Sequence, residues 1–115
     1  MGLNIRLVMH VDTGGPEPVE LELHDVGITH NLTGMAAQAG LYDCLWDAQS
    51  SGIFKAKDLL EPLRKGLERM KADPERFRRW NPPNGWGDYD AFVVTLQGLL
   101  NACERHPLAD VEAEP

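Results

Sequence analysis

The sequence predicts an α+β fold in which a two- or three-stranded antiparallel sheet is covered by three or four helices. Two runs with the apolar alternation of strands lie near the start of the chain, and apolar residues at helical spacing dominate residues 32–106. Because the strand and helix patterns are segregated, they argue against β-α-β units. A chain of 115 residues, 43% of them hydrophobic, is expected to form a single compact domain over residues 1–115.

The two N-terminal runs, residues 3–11 and 18–25, predict a β-hairpin. Each run alternates apolar and polar side chains, which is the period of a half-buried strand. This alternation places His10 and His24 on the polar faces of their strands. Glycines and prolines between the runs indicate a loose loop, because they favour turns and interrupt strand pairing. A hairpin alone is marginally stable, so residues 109–114 are the candidate for a third strand.

The first predicted helix follows a linker over residues 26–28 and covers about residues 32–48. Asn31 is the expected N-cap, because an asparagine side chain accepts hydrogen bonds from free backbone N–H groups. Gly34 and Gly40 each weaken this helix by about 1 kcal/mol relative to alanine, so its stability must come from packing.

Three further helices are predicted, each with a recognisable start. The second helix covers residues 58–71, with Pro62 in its first turn, where a proline removes at most one hydrogen bond. A short helix follows over residues 74–80, and Asp88 caps the last helix, which ends at His106.

Two irregular segments beside helix N-termini carry groups suited to ligand binding. One is the Thr-His-Asn of residues 29–31, and the other is the Asn-Pro-Pro-Asn-Gly-Trp-Gly stretch with its flanking aromatic residues. Free N–H groups at helix starts accept anions or carbonyl groups, while aromatic faces and amides hold a flat polar ligand or an extended peptide. The candidate ligand-binding residues are His30, Asn31, Trp80, Asn81, Asn84, Gly85, Trp86 and Tyr89.

The same residues also have a structural interpretation. Asn31 is a good cap, the asparagines of the loop are common turn formers, and Trp80 and Trp86 could plug the core. A polar His-Asn pair could equally satisfy the backbone of the irregular loop, since buried backbone groups need hydrogen-bond partners. Under either interpretation, we expect His30 or Asn31 to lie within hydrogen-bonding reach of residues 81–89.

The charge of the chain argues against nucleic-acid binding. Eleven Lys and Arg against eighteen Asp and Glu give a net charge of −7, which repels polyphosphates and anionic lipid surfaces. Residues 55–80 are the exception, with nine basic and five acidic side chains. This basic segment could hold a small anion, but a solvated helix face with paired charges is the simpler interpretation. We therefore expect neither general nucleic-acid binding nor a membrane partner.

Cysteine usage and the lack of long apolar runs predict a cytoplasmic protein. Cys44 and Cys103 lie in apolar helical patterns without a zinc-binding spacing, so we expect buried thiols in a reducing compartment rather than a disulfide. No apolar run approaches the roughly 20 residues of a membrane span, and no signal peptide is evident. No phosphate-binding loop or dinucleotide fingerprint occurs, so no cofactor is predicted.

No catalytic residue is predicted, because no serine lies in a nucleophile-elbow context and no paired acid and base can be named. The alternative is a metal-dependent hydrolase that uses His10, His24 and His30. It requires the hairpin to pair His10 with His24 and the following linker to bring His30 near. Surface histidines are the default interpretation, because the spacings typical of zinc and iron sites are missing.

The combined motifs resemble a family of small proteins without an assigned activity, found in bacterial genomes and tailed bacteriophages. The resemblance rests on the Thr-His-Asn of residues 29–31, the Ala-Gly-Leu-Tyr-Asp of residues 39–43 and the Asn-Pro-Pro-Asn-Gly-Trp-Gly-Asp-Tyr of residues 81–89. It covers most of the chain from about residue 28 to residue 113, without the hairpin loop. It implies that His30-Asn31 and the Asn-Gly-Trp-Gly loop act together, as an internal polar clasp or as one binding site.

These observations predict a non-catalytic cytoplasmic accessory protein, related to phage or prophage proteins. We expect it to bind a small polar ligand or a host protein segment through His30-Asn31 and residues 81–89. The alternatives are the metal-dependent hydrolase and a purely structural or oligomerisation module. The latter would show a symmetric apolar interface, so the oligomeric state, including a homodimer, stays open.

Overall fold

The computed structural model describes residues 2–115 and confirms the predicted α+β fold. Its antiparallel sheet has the strand order β2-β1-β3, with β1 over Gly2–Val11, β2 over Val19–Thr29 and β3 over Asp110–Glu114. The third strand is therefore real, and it pairs with the central strand from Asn4 to Val8. Chain segments at the two ends of the sequence thus meet in one sheet.

Within residues 2–115, five α-helices and two 3₁₀ turns make up the helical part, where three or four helices were expected. The two longest are amphipathic, and their apolar sides face the sheet and each other. No helix within residues 2–115 is long and apolar enough to cross a membrane. In order, the elements are a 3₁₀ turn over His30–Leu32, α1 over Thr33–Gln38, α2 over Tyr42–Trp46, a 3₁₀ turn over Gln49–Ser51, α3 over Ala56–Ala72, α4 over Pro74–Arg78 and α5 over Tyr89–Arg105.

The prediction of one helix over residues 32–48 is wrong, because the chain breaks at Gly40. This glycine has a φ of +73°, in the left-handed region that ends helices. The N–H of Gly40 donates to the carbonyl of Ala37 at 3.1 Å, and the N–H of Leu41 donates to that of Ala36 at 2.8 Å. These two bonds form a Schellman motif, which closes α1 before α2 starts in a new direction.

The start of α3 also differs from the prediction. The helix begins at Ala56, and Asp58 lies in its first turn, where the carboxylate accepts the N–H groups of Phe54 and Lys55 at 3.1 and 2.9 Å. Pro62 therefore lies inside the helix rather than in its first turn, and its missing N–H leaves the carbonyl of Asp58 without the usual helical bond.

The remaining helix predictions need smaller adjustments. The short helix α4 stops at Arg78, so Trp80 lies just beyond it. The capping prediction for α5 is confirmed, because Asp88 Oδ1 accepts the N–H of Ala91 at 2.8 Å. The expected end at His106 is also confirmed.

Strand β2 is longer than predicted and contains a β-bulge. Residues 26–28, expected as a linker, are paired strand residues. Leu7 lies opposite His24, but Val8 lies opposite Glu22, so Leu23 is an extra residue on β2. Because cross-strand partners share a face, His24 lies on the side of buried Leu7 rather than on the predicted polar face. A bulge reverses the alternation on which that prediction relied.

The core lies between one face of the sheet and the helical part: α5 approaches β2, α2 approaches β1 and β3, and α3 packs along α5. Two aromatic residues, Phe77 and Phe92, are fully buried in it. The principal contributors are Leu3, Ile5, Leu7, Ile28, Met35, Leu41, Leu45, Leu59, Leu63, Met70, Leu96 and Leu99.

The far end of the hairpin extends beyond this core. Every residue from 10 to 22 is exposed, and β3 covers β1 only as far as Val8. The molecule as a whole is elongated, with dimensions of 52 by 26 by 23 Å. We call residues 10–22 the hairpin arm.

Candidate functional site

The two irregular segments singled out in the sequence are in direct contact. Asn84 Nδ2 donates a hydrogen bond to Asn31 Oδ1 at 3.3 Å, across 53 residues of chain. The predicted coupling between residues 30–31 and residues 81–89 is therefore confirmed, and it runs through Asn31.

Thr29, the last residue of β2, organises the first segment. Its Oγ1 accepts the backbone N–H of Asn31 at 3.3 Å and the side-chain Nδ2 of Asn31 at 3.0 Å. Thr29 is thus the N-cap of the 3₁₀ turn, and the prediction that Asn31 caps a helix is wrong. The side chain of Asn31 is held by Thr29 in the position where its carbonyl oxygen meets Asn84.

A tight turn organises the second segment. The N–H of Gly85 donates to the carbonyl of Pro82 at 3.2 Å, and Gly85 has a φ of +77°. Asn84 Oδ1 then accepts the backbone N–H of Trp86 at 3.0 Å. Asn84 therefore holds its own loop with its oxygen and contacts Asn31 with its nitrogen.

Gly87 brings the two segments together. It has a φ of +97°, and a Cβ placed there would lie 2.9 Å from Thr29 Cγ2 and 3.1 Å from Leu32 Cγ and Cδ1. Only glycine combines this backbone conformation with so close an approach. This close contact sets the distance between the loop and the 3₁₀ turn.

Four residues from the two segments line an open cleft of about 350 Å³, which we call the Asn cleft: Thr29, Asn31, Asn84 and Trp86. The side chain of Trp86 is 68% exposed, so its ring is a wall of the cleft rather than a core plug. Each amide has used one of its two N–H donors, since Asn31 donates to Thr29 and Asn84 donates to Asn31. One N–H of each amide remains for an incoming acceptor.

An apolar pocket of about 260 Å³ adjoins the Asn cleft and shares Thr29 with it. The pocket opens between the end of β2 and the first turns of α5. Its walls are mainly aliphatic and aromatic carbon, which suits one apolar side chain. Its lining residues are Gly27, Ile28, Thr29, Leu32, Gly87, Ala91, Phe92 and Thr95.

His30 lies outside the Asn cleft. Its ring is 6.4 Å from the ring of Trp46 on α2, and its Nε2 is buried with no hydrogen-bond partner among residues 2–115. Trp46 itself stacks on Tyr42, with ring centres 5.7 Å apart. The imidazole therefore lies beside Trp46 instead of lining the cleft.

The other candidate residues of the loop have internal contacts. Asn81 Oδ1 accepts the backbone N–H of Tyr89 at 2.8 Å, and the buried hydroxyl of Tyr89 donates to the carbonyl of Met70 at 2.8 Å. Burial raises the pKa of the Tyr89 phenol. The ring of Trp80, 45% exposed, lies against Gly34, where a Cβ would come within 3.0 Å of it. These three side chains anchor the ends of the loop.

Thr29 belongs to the cleft although it was missing from the candidate set. The available signal was its position two residues before Asn31, because a threonine hydroxyl that accepts the N–H two residues on is a common turn at a strand end.

The histidines of the alternative metal site are separated. His10 lies opposite Glu20 in the hairpin and His24 lies opposite Leu7, so the pairing that this site requires does not occur. Within the described chain, the one group of three metal-binding side chains consists of His10, Glu20 and Glu112. Arg6 forms ion pairs with both of these carboxylates, which gives them a cationic partner already.

The two cysteines are buried free thiols, and the basic segment over residues 55–80 is a helix face with paired charges, which are the simpler interpretations of both features. Cys44 and Cys103 are free and buried, and burial raises the pKa of both thiols to about 12, which leaves them as unreactive core residues. Several cations of residues 55–80 have intramolecular partners, such as the guanidinium of Arg78 between Glu75 and Asp90. These pairs are typical of a solvated helix face.

Comparisons of the chain with protein families, curated proteins and solved structures find no match. The family resemblance drawn from the motifs therefore stays a prediction, and the geometry of the Asn cleft is the remaining guide to function.

Proposed function

We propose that this protein is a non-catalytic accessory module that binds a segment of another protein in the Asn cleft. The observation that carries the proposal is the Asn84–Asn31 hydrogen bond, which assembles two amides beside the exposed ring of Trp86. Neither asparagine is buried, so the bond contributes little to the core and chiefly shapes a surface.

The shape of the cleft favours a protein segment over a small molecule. Sites for small molecules bury most of the ligand surface in a concave pocket. Here Asn31, Asn84 and Trp86 are all exposed, so the cleft can cover only one side of a ligand. An extended chain that continues past both ends of the cleft suits such a surface.

The chemistry of the cleft matches that of a polypeptide backbone. The free N–H groups of Asn31 and Asn84 can donate to main-chain carbonyls, and the ring of Trp86 offers a flat face for a peptide unit or a side chain. The adjoining apolar pocket beside Thr29 can take one apolar side chain of the same segment. Together these features specify an extended segment with an apolar anchor.

The kind of partner and the cellular compartment that we propose are based on the sequence. The motif resemblance to bacterial and phage proteins favours a host protein as the partner, and the buried free thiols favour the cytoplasm. Both assignments are part of the proposal.

A displayed library of random peptides, selected on the wild-type protein, tests the proposal. We expect enriched peptides whose affinity falls about tenfold or more in Trp86→Ala and in Asn84→Asp. Asn84→Asp keeps the oxygen that holds the Trp86 N–H but loses the donor to Asn31. Phe54→Ala is the matched control, because it removes another exposed aromatic ring, 58% exposed, away from the cleft.

Urea unfolding of each variant separates binding from folding. Because the Trp86 ring is exposed, Trp86→Ala should change the free energy of unfolding by no more than about 0.5 kcal/mol. Enriched peptides that bind Trp86→Ala and Asn84→Asp as well as the wild type would overturn the proposal. So would a small molecule that co-purifies with the wild type and is lost in Asn84→Asp.

A further inference from the structure

The hairpin arm carries apolar side chains on the face that continues the core. Val11 lies opposite Val19, and Met9 lies opposite Leu21, so these four side chains share the face of buried Leu7. Within the arm, Val11, Val19 and Leu21 are 38%, 46% and 47% exposed. No element of residues 2–115 covers them, which leaves an unpartnered apolar sheet face.

A second apolar surface lies at the base of the arm. It is an open cleft of about 380 Å³, which we call the Leu108 cleft after a leucine that is 64% exposed. The cleft joins the apolar face of the arm to the turn between α5 and β3. It is lined by Met9, Leu23, Arg105, His106, Pro107, Leu108 and Ala109.

The opposite face of the arm is polar and already partnered. Arg6 forms ion pairs with Glu20, Glu22 and Glu112, and these carboxylates raise the pKa of its guanidinium. A partner gains little apolar contact on this face. The apolar face is therefore the surface of the arm on which a partner would dock.

The charges at the two ends of the apolar face are complementary. The tip of the arm carries Asp12 and Glu17, and no cationic residue occurs between residues 11 and 23. The Leu108 cleft carries the guanidinium of Arg105 in its lining. The tip is about five residues beyond Met9, or about 17 Å along a strand, so it cannot reach the cleft of its own chain. A second copy whose arm runs antiparallel can place its acidic tip at this cleft while its own cleft receives the tip of the first copy.

We propose that two copies of this chain associate through their hairpin arms, packed face to face about a two-fold axis. Val11, Val19 and Leu21 of both copies meet near the axis, and the acidic tip of each arm lies at the Leu108 cleft of the other copy. Such an interface is self-complementary and closed, because each copy supplies both the arm and the cleft. The Asn cleft takes no part, so this inference is independent of the proposed function.

Edge-to-edge pairing of the two β2 strands is a less favourable way for two copies to associate through their arms. A two-fold pairing of β2 with itself would bring Glu20, Glu22 and Asp25 of both copies onto one face of a continuous sheet. Like charges in neighbouring cross-strand positions are destabilising. Face-to-face packing keeps these carboxylates on the outside, where Arg6 balances part of their charge.

Charge reversal at the two ends of the interface tests the proposal. Sedimentation equilibrium should show a dimer for the wild type, and a dissociation constant raised about tenfold or more for Glu17→Lys and for Arg105→Glu, each measured alone. Both side chains are exposed, so neither variant should disturb the fold. When the two variants are mixed in equal amounts, a heterodimer should form with higher affinity than either variant has for itself, because residues 17 and 105 then carry opposite charges at both contacts.

Apolar substitutions complete the test. Leu21→Asp should abolish the dimer, while Val94→Asp, which alters a 73% exposed valine on α5, should leave it intact. A wild-type protein that stays monomeric at millimolar concentration would overturn the proposal. A dimer that is indifferent to Leu21→Asp, or a mixture of the two charge variants that gains no affinity, would overturn it as well.

Discussion

Adding one methyl group at Gly87 should force the loop of residues 81–89, which carries Asn84, away from the 3₁₀ turn over His30–Leu32. An alanine there must adopt a φ of +97°, and left-handed backbone costs a residue with a Cβ roughly 1–2 kcal/mol. Its Cβ would also lie 2.9 Å from Thr29 Cγ2, a distance that real contacts do not reach without a shift. Overpacking of this kind costs roughly 1–3 kcal/mol, so Gly87→Ala should destabilise the protein by roughly 2–5 kcal/mol in total.

Gly85→Ala is the control that separates backbone strain from the clash. Gly85 also has a positive φ, +77°, but no atom within the described chain lies within 4 Å of the Cβ position. Its substitution should cost only roughly 1–2 kcal/mol. Urea unfolding followed by circular dichroism measures both variants, and equal free energies of unfolding would refute the argument that Gly87 sets the contact with Thr29.

Three further predictions concern the fold. Deletion of residues 108–115 should lower the free energy of unfolding by about 3 kcal/mol or more, because it uncovers the edge of the central strand; an unchanged melting temperature would contradict this. Tyr89→Phe should cost about 1 kcal/mol, since the carbonyl of Met70 loses its buried donor, and no loss in urea unfolding would show that this bond is unimportant. Asp58→Asn should cost about 1 kcal/mol at neutral pH. Hydrogen bonds from the Lys55 and Phe54 N–H groups lower the pKa of Asp58, so this stabilisation is complete above about pH 4 and disappears as the pH falls through the folded-state pKa. A wild-type advantage that persists in acid would contradict the assignment.

The elements that the sequence predicted well are those with a strong local signal. The strand alternation of residues 3–11, the cap at Asp88 and the apolar stripe of α5 each depend on neighbouring residues only, and each is found in the structure. The contact between Asn31 and the Asn84 loop was also predictable, because an irregular loop must find partners for its polar groups.

The errors arise where a local pattern is interrupted without a change in composition. The apolar periodicity of residues 32–48 continues across Gly40, so it did not reveal that this glycine turns left-handed and ends α1. The bulge at Leu23 depends on the register between two strands, which the sequence of one strand does not contain. His24 was predicted on the polar face, and that prediction was wrong because this single extra residue shifts the alternation.

The candidate site was predicted as a region but not as a set of contacts. The sequence motifs indicated Asn31, Asn84 and Trp86 as candidate ligand-binding residues, and in the structure all three line one cleft. Residue type alone could not separate them from Asn81 and Tyr89, because an amide or a phenol serves equally as an anchor or as a binding group. Only their positions in the fold divide the two sets: Asn31, Asn84 and Trp86 line the cleft, whereas Tyr89 is buried and Asn81 accepts the Tyr89 N–H away from it.

The strand order has a consequence for how the chain folds. The central strand β1 is synthesised before both of its neighbours, and the more distant of them is β3, so that the pair from Arg6 to Glu112 spans 106 residues. Closing so long a loop is costly in entropy, and folds rich in such distant contacts form slowly. The hairpin and the helical part can therefore begin to pack during synthesis, but one edge of the central strand must stay open until residues 110–114 have been made. During that interval the newly made chain exposes a template for unwanted strand pairing, which its carboxylate-rich sheet face helps to repel.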